Sequence, residues 1–145
     1  MSYVSSLYHI VFSTYCRKPV IGNTNRHQLY SILAKQIQET RSKALIINGV
    51  SDHIHILLNL HQGVALSTLI RDIKSKSTVW AKTSGLFPGF EGWEREYGAF
   101  SISNTHKDSV YQYIKNQETH HSRVVAIDEY RALIAKAGLT FYGTD

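Results

Sequence analysis

His53-Ile54-His55 sets two imidazoles at alternate positions. On an extended chain, alternate residues share a face, so these rings stand about 6–7 Å apart along the backbone, within reach of one metal ion. Short His-x-His pairs also arise by chance, and two histidines satisfied by hydrogen bonds on a half-exposed strand are the plain alternative. The setting favours the ligand reading. From His53 to His61 the even positions are Ile54, Ile56, Leu58 and Leu60, all aliphatic, while the odd ones are His53, His55, Leu57, Asn59 and His61. Period-2 alternation puts the two sets on opposite faces, one of them core. His61 lies on the order of 20 Å beyond His55 and cannot complete the same site without a sharp bend.

A third ligand must therefore come from elsewhere. In Tyr111-Gln112-Tyr113-Ile114-Lys115-Asn116-Gln117-Glu118-Thr119-His120-His121, Tyr113 and Gln117 are four apart on one helical face. His120 follows on much the same stripe. A solvated face with a snorkelling tyrosine would look similar.

The elements that must position these groups read as follows. Leu7 to Tyr15 is β-branched and aromatic, a strand. Arg26 to Arg41 carries Leu29, Tyr30, Leu33 and Ile37 at helical spacing. Ala44 to Ile47 is a second strand, with Asn48-Gly49 as its turn or bulge signal. His53 to His61 is the third. A helix from Ala65 to Thr83 lines one side with Leu66, Leu69, Ile73, Ser77 and Trp80, and another with Arg71, Lys74, Thr78 and Lys82. Tyr97 to Ser103 is a fourth strand, Lys107 to His120 a third helix, and Asp128 to Ala137 a last one stopped by Gly138. The order predicts an α+β fold, a ferredoxin-like (RRM-like) βαββαβ sandwich with an additional C-terminal helix, as one domain over residues 1–145.

Formal charge of +5 makes a polyanionic partner reasonable, although many small basic domains touch no nucleic acid. Cys16 is the single cysteine, which excludes an internal disulfide and a cysteine-built zinc site and suits a reducing cytosol, so the expected location is cytoplasmic. No apolar run approaches the ~20 residues of a membrane span, and the N-terminus has no basic region of a secretory signal, so no membrane is expected.

His53-Ile54-His55 on a strand, then Tyr97-Gly98-Ala99-Phe100-Ser101, Tyr113-Ile114-Lys115-Asn116-Gln117 and the pair His120-His121 resemble the single-tyrosine HUH transposases. That group includes insertion-sequence transposases and REP-associated tyrosine transposases. The likeness runs from Tyr8-His9-Ile10-Val11-Phe12 through Arg17-Lys18 to Glu129-Tyr130. It implies that His53 and His55 bind Mg2+ or Mn2+, that Gln117 is a third ligand, and that Tyr113, on a catalytic helix, attacks single-stranded DNA. Tyr111 is the rival nucleophile, but its neighbour four residues on is Lys115, which is no ligand.

The implied reaction is cleavage and rejoining through a covalent 5′-phosphotyrosine, at element ends that contain hairpins. The resemblance also implies a homodimer, with the active site assembled in cis or in trans. Arg17, Lys18, Arg71, Lys74, Lys76 and Lys82 would then contact phosphates, each alternatively an ordinary solvated charge. Trp80 and Trp93 could stack on bases, Trp80 fitting the core better. Asn116, His120 and His121 are further residues that could support the ligands. Competing expectations are a nucleic-acid-binding module of the same fold without catalysis, a hydrolase using metal-bound water, and a domesticated descendant.

Overall fold

β1 (Leu7–Ser13), β2 (Lys43–Gly49), β3 (His53–Asn59) and β4 (Gly98–Ile102) pair antiparallel in the order β2-β3-β1-β4. The computed structural model describes residues 2–121 and 126–139, without the side chains of 120, 121, 126 and 127. α1 (Arg26–Gln38) connects β1 to β2, and α2 (Leu66–Ser84) connects β3 to β4. The fold is the expected ferredoxin-like sandwich.

Its core follows from the alternation. Ile10 and Phe12 of β1 lie on the same face as Ile54, Ile56 and Leu58 of β3, and they meet Leu29, Leu33 and Ile37 of α1 and Leu69, Ile70 and Ile73 of α2. All are 2% exposed or less. Each such side chain contributes about 1.5–3 kcal/mol of burial. α2 ends at Gly85, whose φ of 73° is left-handed backbone that a glycine adopts without strain.

The opposite face carries His9, Val11, His53, His55 and Leu57, since Val11 pairs with His55 and His9 with Leu57. It is closed off by three C-terminal helices: α3 (Lys107–Lys115), α4 (Gln117–His121) and α5 (Ala126–Lys136). Leu57 and Ile114 are fully buried there. An RNA-recognition fold would instead leave that face open for bases to stack on.

Two local features differ from the sequence reading. The Lys107–His120 helix is broken at Asn116 (φ −96°, ψ 22°), between α3 and α4. The break is held from the sheet: Asn48 Nδ2 donates to the carbonyls of Ile114 and Lys115, each at 3.0 Å. Asn48 and Gly49 are also not the turn itself. Both remain in β2, paired with His55 and Ile54, and the reversal comes at residues 50–52. Gly49 is required for another reason, because a Cβ there would overlap the carbonyl oxygen of His53. No described helix is long and apolar enough to cross a membrane.

Candidate metal centre

β3 delivers His53 and His55 to the interior, 4% and 0% exposed. α5 brings Glu129 over them from the far end of the chain, 4% exposed. Glu129 Oε1 lies 3.2 Å from His53 Nε2 and 3.0 Å from His55 Nε2, and ligand atoms of the three residues fall within 4.8 Å of one another. The other carboxylate oxygen serves a second pair. Tyr113 donates its hydroxyl hydrogen to Glu129 Oε2, and Gln117 Nε2 donates to the same atom at 3.2 Å. Glu129 thus joins the histidines on one side to the tyrosine and glutamine on the other. Gly98 makes room for this docking: a Cβ there would sit 2.9 Å from Cε1 of Tyr130, the residue after Glu129.

Charge follows this geometry. Burial pushes the Glu129 carboxyl up, but hydrogen bonds from His53 and His55, the His55 charge and the Tyr113 hydroxyl outweigh it, holding the group far below the usual carboxylate range. Burial likewise opposes a charged His53. Its hydrogen bonds to Asp52 (2.8 Å) and Glu129, and their charges, prevail and raise it to about 9. The Tyr113 phenol is pushed up by burial first, then by its bond to Glu129 and that carboxylate's charge.

A buried site with two imidazole nitrogens and a carboxylate is one where a proton and a divalent ion compete for the same lone pairs. Gln117 supplies a further observation. It is fully buried, and its Oε1 has no hydrogen-bond partner among the described residues. A buried carbonyl oxygen left bare costs about 1–3 kcal/mol, and a cation would satisfy it. Two imidazole nitrogens and a carboxylate oxygen, with the Gln117 amide beside that carboxylate, fit a divalent ion of the first transition row or Mg2+.

The structure therefore brings together His53, His55, Tyr113 and Gln117. It does not bring the basic residues to them as a group. Arg71, Lys74, Lys76 and Lys82 ride on α2, across the sheet. Lys74 Nζ is occupied by the carbonyls of Glu94, Arg95 and Glu96, Arg71 reaches Asp72, and Lys18 pairs with Glu91 at 2.7 Å. Arg17 is closer, near enough to α5 for its charge to act on the Tyr130 phenol.

Trp93 is not available for stacking. It is buried, edge-on to Phe12 and Phe90, and its Nε1 donates to Ser77 Oγ. Trp80 is half-buried against Phe87. Asn116 is exposed at the helix break, and the side chains of His120 and His121 lie outside the described residues.

Glu129, Asp52 and His9 were not among the residues singled out in the sequence. His9 Nε2 lies 2.8 Å from His55 Nδ1. Its only sequence signal is a place on the odd face of β1, visible once β1 and β3 are paired. Asp52 directly precedes the motif, and its role depends on the turn at residues 50–52. Glu129 carried no spacing signal, lying 74 residues from His55.

The model of the family described as "Transposase IS200 like" matches residues 2–117. The transposase for insertion sequence element IS200 of Salmonella typhimurium is 28% identical over 116 residues, spanning 76% of this chain and 75% of the relative; that of Salmonella typhi matches equally. The fold is shared with a crystal structure of a candidate transposase from Deinococcus radiodurans R1 (TM-score 0.62, 20% identity, 81% of this chain and 95% of that one). It is also shared with a REP-associated tyrosine transposase bound to a REP hairpin (TM-score 0.61, 17% identity, 100% and 90%). With its sheet, its buried histidine pair and a family match over most of its length, the chain belongs to the IS200-like transposase family.

Proposed function

We propose that this transposase cleaves and rejoins single-stranded DNA with Tyr113 as nucleophile, at a divalent ion held by His53, His55 and Glu129 with Gln117 Oε1 beside them. The observation that carries this reading is the Glu129 carboxylate, which takes both histidines on one oxygen and the Tyr113 hydroxyl on the other. It places a phenol at the edge of a candidate metal centre instead of on a solvated helix face.

Tyr113 is firmly protonated, so it needs help to attack. Mg2+ or Mn2+ bound here would draw charge from a non-bridging phosphate oxygen and stabilise the transition state. Tyr113 Oη forms a bond to the phosphorus as the bond to the 3′-oxygen breaks. Glu129 Oε2 orients the hydroxyl, and the phenol's proton ends on the leaving 3′-oxygen. The phosphoester is conserved on the tyrosine, and a later 3′-hydroxyl reverses the step without an energy source.

Tyr113 meets the histidines of its own chain, which favours a site assembled in cis. One nucleophile per chain and two cuts per element favour a homodimer. The REP hairpin bound by the relative supports hairpin-containing DNA as partner. Arg17 is the basic residue best placed to contact it beside α5. The test is incubation of the protein with labelled single-stranded DNA from the gene's own flanks, with Mn2+. A denaturant-resistant protein–DNA adduct is expected; binding without adduct would indicate a binding module, and cleavage without adduct a hydrolase.

A further inference from the structure

His9 stands in the middle of β1 and has no part in the cleavage scheme. It is 3% exposed, and its Nε2 lies 2.8 Å from Nδ1 of the fully buried His55. The register explains the meeting. Val11 pairs with His55 and His9 with Leu57, so His9 and His55 are diagonal neighbours on one sheet face. Phe100 and Tyr113 stand edge-on to the His9 ring, with centroids 6.2 and 5.9 Å away, and fix its orientation.

A bond between two imidazole nitrogens holds one hydrogen, so one ring donates and the other accepts. His55 turns its second nitrogen, Nε2, toward Glu129 Oε1, where the candidate ligand atoms converge. A nitrogen that ligates must be bare. A bare Nε2 puts the His55 hydrogen on Nδ1, and His9 Nε2 must then accept it. The geometry points to His9 as a positioning residue that holds His55 in its Nδ1–H form, with the Nε2 lone pair aimed at the metal. The inference rests on the metal reading above.

The two histidines are supported differently. Behind His53 stands the Asp52 carboxylate, 2.8 Å from Nδ1. Behind His55 stands the buried imidazole of His9, whose Nε2 is 2.8 Å from Nδ1. A carboxylate in that place would add a third negative charge to a closed site already holding Asp52 and Glu129. His9 orients its ligand without adding one.

The test compares Mn2+ binding to the metal-free wild type, His9→Phe and His9→Gln, read from the paramagnetic resonance of free Mn2+, with circular dichroism as a check of fold. His9→Phe is expected to weaken binding about 10–100-fold. His9→Gln, whose amide oxygen can accept the same hydrogen, is expected to recover most of it. Long-range 1H–15N spectra of the Mg2+-loaded wild type, which need no variant, should show His55 protonated at Nδ1 and His9 bare at Nε2. Undiminished Mn2+ binding in His9→Phe, a His9→Gln as weak as His9→Phe, or a protonated His9 Nε2 overturns the role of His9 alone. A wild type that binds no Mn2+ overturns the metal reading and this inference together.

Discussion

Tyr113 and Glu129, on α3 and α5, are joined by a hydrogen bond from the phenol to Oε2 of the carboxylate whose other oxygen holds both histidines. The nucleophile proposed for this chain is thereby tied to the candidate metal centre through one side chain.

Tyr113→Phe removes only the hydroxyl, and the helix keeps its buried Ile114 anchor. Cleavage should fall by more than about 10^4-fold, the scale of losing a nucleophile. No adduct should survive denaturation, while a mobility-shift assay shows DNA binding close to wild type. A Tyr113→Phe protein that still forms adduct would transfer the role to another residue.

Glu129→Gln keeps the shape and removes the charge. Mn2+ affinity should drop at least about 10-fold, since losing a ligand should be no milder than losing a residue behind one. The Tyr113 phenol should also titrate lower, because the Glu129 charge and hydrogen bond help to raise it. Ultraviolet titration of wild type against the variant reads the second effect, calorimetry the first.

His53 in the metal-free protein should titrate near 9 and His9 near 3, on either side of the ordinary 6.5. For His53 the folded pKa is raised. Its contribution to stability is therefore fully present below about pH 6.5 and is lost as pH rises through about 9. Because metal must displace that proton, Mn2+ affinity should climb over the same window and each ion bound should release protons. Histidine proton shifts followed against pH decide it; a His53 that titrates at or below 6.5 contradicts the assignment.

Asn48→Ala deprives the Ile114 and Lys115 carbonyls of their shared donor. A loss of about 1–2 kcal/mol is expected in urea unfolding. Activity should fall further than stability alone explains, since Gln117, whose Nε2 donates to Glu129, follows directly on the break. Equal activity at equal folded fraction would show that the break needs no clamp.

Gly49→Ala forces a methyl onto the His53 carbonyl oxygen, backbone that cannot swing aside. A cost of at least about 1–3 kcal/mol is expected, together with weaker Mn2+ binding as the turn before His53 shifts. Thermal melting with and without Mn2+ separates the two effects.

The sheet was legible because its signal is local. Aliphatic residues at every even position of β3 fix a core face whatever packs there, and the element order then leaves few topologies. The same alternation says nothing of what covers the other face. That depends on α3, α4 and α5, which read as ordinary amphipathic helices. The break at Asn116 was hidden because its cause is Asn48, on β2. Glu129 was hidden because an acid in the first turn of a helix is common for reasons of the helix dipole alone, and only the fold carries it to the histidines.

The position of Glu129 also orders events in time. A ribosome makes His53, His55, Tyr113 and Gln117 before it makes α5, so a chain halted at residue 121 would own both histidines and the tyrosine but not the carboxylate that unites them. Catalytic competence would then wait for α5, however early the histidines and the tyrosine are in place.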